Sequence, residues 1–118
     1  MNREEFISAI RTEVYDSSIE STIDKLIHPP GGNPVPGLLE QSDYYKHLTV
    51  NEKRIVNNII SGAVKESVFG FLCILDGVRK ITDSEDIGKI ELSYLSNFSK
   101  TVLNNSNEEN LSDIFYRA

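Results

Sequence analysis

Apolar residues at the start of the chain recur at helical spacing. Phe6, Ile7, Ile10, Val14, Ile23, Leu26 and Ile27 stand three or four apart, as on one stripe of an amphipathic helix. Asn2 followed by Glu5 makes a relative of the capping box, and Glu4 and Glu5 suit the positive end of a helix. The pattern therefore predicts a helix from there to about Ile27. Its spacing loosens over Asp16–Ser21, so a kink or break is expected near Ser17 and Ser18. His28–Gly37, HPPGGNPVPG, then holds all four prolines. Proline lacks an amide donor and disfavours helical backbone at the preceding residue, so the helix must stop and a stiff connection follow. No P-x-x-P occurs in it, which argues against a ligand for aromatic grooves.

A short helix is predicted over Leu38–His47, with Leu38, Tyr45 and Leu48 on one face and Tyr44 or Tyr45 turned partly outward. Thr49-Val50-Asn51-Glu52 is a capping box set directly before an apolar periodic run. It predicts a central helix over Val50–Ile81. Ile55, Val56, Ile59, Ile60, Ala63 and Val64 form its stripe. From Ser67 to Leu75, SVFGFLCIL, nearly every position is apolar, so this helix is expected to be the core element, buried almost all round. The same short run also suits a buried strand, but the upstream cap and unbroken spacing favour helix. Small residues at Ala63, Ser67, Gly70, Cys73 and Gly77 form a second pattern. An interior glycine costs about 1 kcal/mol against alanine, so another backbone is expected to approach there.

Thr82–Gly88 reads as an acidic loop. Lys89–Leu95 alternates polar and apolar residues, as a half-buried strand does. Ser96 and Asn97 serve as the turn and Phe98–Leu103 as the return strand, with Ile90, Leu92 and Tyr94 expected to cover the helices. Ser106 and Glu109 form another capping box before Leu111, Ile114 and Phe115, predicting a short last helix. The sum is one α+β domain over residues 1–118: about four helices around a buried central helix, with one antiparallel β-hairpin near the C-terminus.

Composition narrows the chemistry. The 118 residues suit one domain. Cys73 is the sole cysteine, which excludes an internal disulfide or a Cys-rich zinc site. The N-terminal MNREEFISAI carries acidic groups where a signal peptide needs basic ones. No charge-free apolar run is long enough to suggest a membrane span. A cytoplasmic protein without membrane association is expected. The net charge is −6, concentrated in the first 43 residues and the last 38. Such a chain binds nucleic acid poorly, since phosphate neutralisation supplies most non-specific affinity, whereas its acidic surface can steer a basic protein.

Asp24 and His28 are four apart near the end of the first helix, and Asp43 and His47 are four apart near the end of the second. These pairs offer an alternative reading, a small metal protein or enzyme using all four. The simpler reading is that each histidine interacts with its helix C-terminus. Cys73, between Leu72 and Ile74, is expected to be an inert core thiol. No nucleophile elbow, P-loop, zincin or dinucleotide motif occurs, so neither an enzyme nor a cofactor is expected. Asp76 ends the apolar run and is expected either to pair with Arg79 and Lys80 or to anchor the edge of a cleft.

With FGFLCILDGVRKI and the hairpin after it, the chain resembles small bacterial α+β proteins of the toxin-immunity type in size, acidity and build. The resemblance implies a non-catalytic protein whose acidic surface occludes a basic toxin. It carries over no individual positions. The residues chosen for partner binding, Glu13, Asp16, Glu20, Asp24, Tyr44 and Asp76, follow from charge and expected exposure. A further alternative is self-association through the small-residue stripe, which leaves the oligomeric state open.

Overall fold

The first helix forms where Asn2 lets it start. Asn2 is extended and its side-chain oxygen accepts the Glu5 amide at 2.8 Å, so α1 runs Arg3–Ile10. The computed structural model describes residues 1–32, 35–82, 85 and 88–117. Instead of breaking at Ser17, the helical run continues through a π-helical stretch, Arg11–Asp16, into α2, Ser17–Ile27. A π turn takes in an extra residue, so apolar positions that are regular on either side slip out of phase across it. That slip is the loosened periodicity of the sequence. Val14, inside the stretch, leaves the packed stripe and is exposed.

α3 is Leu38–Lys46 and follows Gly37, whose φ of +86° suits glycine. The Pro-rich connection before it includes Asn33 and Pro34, and the acidic loop at 82–88 includes Asp83, Ser84, Asp86 and Ile87. These six and Ala118 lie outside the described residues.

α4 spans Val50–Asp76, helical through SVFGFLCIL. Its capping box forms in both directions: the Thr49 amide donates to Glu52 Oε1 at 2.8 Å, and the Glu52 amide to Thr49 Oγ1 at 3.2 Å. It ends short of Ile81 because Gly77 takes φ +78°, letting the Val78 amide turn back to the Cys73 carbonyl at 3.1 Å. The expected all-round burial is not found. Gly70, Leu72, Cys73 and Leu75 are buried, but Phe71 is 62% exposed. α5, Leu111–Arg117, meets this half of the helix through the Phe69 and Tyr116 rings, 5.4 Å apart, which covers only one side. The small-residue stripe also dissolves. A Cβ on Gly70 would meet the Arg79 guanidinium rather than any backbone, Gly77 closes the helix, and Ala63 and Ser67 face outward.

β1, Ser93–Ser96, pairs antiparallel with β2, Ser99–Val102. Ser96 opposes Ser99, so the turn is Asn97–Phe98, one residue later than expected. The first strand begins after Lys89 because Asn104 takes the backbone ahead of it. Its Nδ2 donates to the Ile90 carbonyl at 2.8 Å and the Leu75 carbonyl at 2.6 Å, and its Oδ1 accepts the Leu92 amide at 2.9 Å. The hairpin is thus held at its base, where Leu103 is 3% exposed, and not along a face. Contrary to expectation, Ile90 and Tyr94 are exposed, as is Phe98 at the tip.

Contacts gather the chain into two units, Met1–Thr12 with Glu66–Ala118, and Glu13–Lys65. In the first, Ile7, Leu72, Leu111 and Phe115 form the tightest core, each at most 2% exposed. Arg3 is buried beside it. Its guanidinium donates to the carbonyls of Glu109 and Asn105 and pairs with Glu108 at 3.0 Å. In the second unit Ser42 donates to the Leu26 carbonyl at 2.6 Å, and Tyr45 to Asn57 Oδ1 at 2.9 Å. Tyr45 is thereby the inward member of the tyrosine pair and Tyr44 the outward one. With Arg3–Ile27 counted as one run, the described residues form four helices and one C-terminal hairpin, an α+β fold.

Candidate protein-binding surface

The acidic row lies in the second unit. Glu13 and Asp16 belong to the π stretch and Glu20 and Asp24 to α2, and all four are exposed. Successive residues of a helix turn by about 100°, so Glu20 and Asp24 share one side while Thr22 and Leu26 point elsewhere. Leu26 is buried and fixes that other side inward. Within α2 the apolar stripe therefore dictates where Glu20 and Asp24 go.

A groove of about 550 Å³ opens between α2, α3 and the first half of α4. Leu26, Val56, Ile60 and the Tyr45 ring give it apolar walls. Its polar edge comes from α3, where Glu40, Gln41 and Tyr44 recur at helical spacing on one face, with Gly37 at the start. Tyr44 is 68% exposed and stands at the rim. The sequence points to Tyr44 but not to Glu40, and it assigns Val56 and Ile60 to the core. The polar face of α3 carries the missed signal: Glu40 and Tyr44 are one turn apart on a helix with few apolar residues to bury.

Asp76 sits elsewhere and is taken up by the fold. Its Oδ1 accepts the Leu111 amide at 2.8 Å and its Oδ2 the Ser112 amide at 2.9 Å, capping α5 from a distant part of the chain. The expected pairing with Arg79 and Lys80 gives way to this cap, which uses both oxygens, and the Arg79 guanidinium lies against Gly70 instead. A second cavity, about 670 Å³, adjoins Asp76 and Asn104. It is the larger, but both residues are committed to backbone groups, and its charged lining mixes Arg79, Lys80 and Lys89 with Glu85 and Glu91. We therefore favour the groove of the second unit.

The four alternative metal ligands do not form a set. Among the described residues no three His, Cys, Asp or Glu side chains gather as a metal site. His28 ends α2 with its amide on the Asp24 carbonyl at 2.7 Å, and His47 Nδ1 lies 2.6 Å from the Asp43 carbonyl oxygen. Both pairs are joined through backbone carbonyls and not through carboxylates. Cys73 is buried, as a core thiol would be. Two carboxylates are held below their ordinary range by local partners: Glu52 by hydrogen bonds from the Thr49 backbone and hydroxyl, and Glu91 by Lys100 and Ser93.

By length and composition alone, α4 is long and apolar enough to cross a membrane, with mean hydropathy 1.5 over its best window. Lys65 and Glu66 fall near its midpoint, where each charge costs about 3 kcal/mol in a bilayer. What fold and surface define is an acidic α+β protein with an exposed carboxylate row and, in the same unit, an apolar groove. No protein family, curated protein or solved structure matches the chain.

Proposed function

We propose that this protein is a non-catalytic binding module of the immunity type, acting in the bacterial cytoplasm by covering a basic protein toxin. The observation that carries the reading is the presence of four exposed carboxylates, Glu13, Asp16, Glu20 and Asp24, in the same unit as a groove with Tyr44 at its rim. The carboxylates supply steering and partner choice. The groove supplies the desolvated, aromatic contact in which binding energy concentrates.

The test is capture from a native extract of the source organism on immobilised protein, comparing wild type with the double variant Glu20→Lys/Asp24→Lys, each checked for native circular dichroism. One basic protein should be retained by wild type, released in 1 M salt and lost with the variant. Capture of nothing, of an acidic protein, or of the same protein equally by both forms would refute the proposal.

A further inference from the structure

The groove's lining specifies more than an apolar contact. Among the described residues that line it, Glu40 is the one acidic side chain, exposed on the α3 edge with Tyr44, while Leu26, Val56 and Ile60 form the apolar walls. We infer that the groove takes a long cationic side chain, lysine or arginine, presented by the basic partner. Its alkyl stem would lie on Leu26, Val56 and Ile60, and its charged tip would meet the Glu40 carboxylate beside the Tyr44 ring. The inference rests on the reading of this groove as part of the partner-binding surface.

Charge complementarity selects this occupant. An acidic side chain would meet Glu40 as a like charge, and a purely apolar one would leave the carboxylate at the edge without a partner. Lysine and arginine alone join a long apolar stem to a cation, and they use the two parts in different surroundings. The neighbouring tyrosine shows the same preference within the molecule: Lys53 Nζ lies 5.6 Å from the Tyr45 ring centroid. Tyr44, 68% exposed, offers an equivalent ring to a cation from outside. A volume of about 550 Å³ holds such a side chain together with part of the segment bearing it.

The probe is n-butylammonium, the stem and head of lysine alone, titrated into the full-length protein and followed by amide chemical shifts, with n-butanol as the neutral control. Saturable shifts are expected at Gly37, Gln41, Tyr44, Val56 and Ile60. n-Butylammonium should bind about fivefold more tightly than n-butanol, as one weak ion pair plus an exposed cation–π contact allows. Glu40→Gln should remove that preference. Equal binding of the alcohol, or a preference that survives Glu40→Gln, would overturn the inference. Those outcomes leave the capture test untouched. Conversely, n-butylammonium binding in the groove without capture of any basic protein would sustain the site and remove the toxin reading.

Discussion

Replacing Asp76 by alanine should unfasten the last helix. α5 spans only Leu111–Arg117, too short to be stable by itself, yet it contributes Leu111 and Phe115 to the core at 0% exposure. Its first two amides both donate to the Asp76 carboxylate, 35 and 36 residues away in sequence. An N-cap replaced by alanine costs about 1 kcal/mol, and hydrogen bonds to a charged group contribute roughly 1.5–3 kcal/mol each. For a half-buried carboxylate making two such bonds, about 2–4 kcal/mol is the expected loss. At roughly 4 °C per kcal/mol for a domain of this size, the melting temperature should fall by about 8–16 °C. Asp76→Asn keeps one oxygen acceptor and should lose about half as much. Chemical denaturation gives the energy, and hydrogen exchange at Leu111 and Ser112 locates it. Lys80→Gln is the control. Were Asp76 chiefly an ion-pair partner, this change would also destabilise, whereas the cap predicts an effect below about 0.5 kcal/mol. Asp76→Ala within that same margin, with both amides still protected, would refute the reasoning.

Arg3→Met should destabilise by about 2–4 kcal/mol, because the buried guanidinium serves two carbonyls and Glu108; Arg3→Lys, measured by the same denaturation, should recover little, since an ammonium cannot reproduce the fork. Gly62 is helical with nothing within 4 Å of an added Cβ, so Gly62→Ala should stabilise by up to about 1 kcal/mol, while Gly77→Ala, at φ +78°, should destabilise by a similar amount. Glu52 titrates below its ordinary 4.5 in the folded protein. Its contribution to stability is therefore present above the unfolded pKa and lost as pH falls through the folded one. Carboxyl chemical shifts should show the lowered midpoint, and Glu52→Gln should flatten that part of the stability profile.

Elements set by local chemistry were legible in the sequence. Asn2 and Thr49 are read correctly as caps because each bonds within three residues. The hairpin is found because alternation is local. Errors arise where the deciding partner is distant. The last helix takes its cap from Asp76 instead of Ser106, and the first strand is shortened by Asn104, neither of which has a signature at its own position. SVFGFLCIL is correctly helical, but an apolar run does not state how many sides its neighbours cover, and Phe71 stays exposed. Arg3 is buried because three acceptors from residues 105–109 converge on it. Of the candidate surface, Glu20 and Asp24 follow from helical phase, whereas Glu13 and Asp16 lie in the π stretch that shifts it. The groove requires three helices to be placed together, which no single stretch encodes.

The protein-binding reading is tested most directly by the salt dependence of affinity for the captured partner, measured by calorimetry between 0.1 and 1 M salt. The Debye length falls from about 10 Å to about 3 Å over that range. Attraction to Glu13, Asp16, Glu20 and Asp24 should therefore weaken steeply, and the milder Asp24→Asn should flatten the slope. An affinity unchanged across the range, or a slope identical in wild type and variant, would contradict the account.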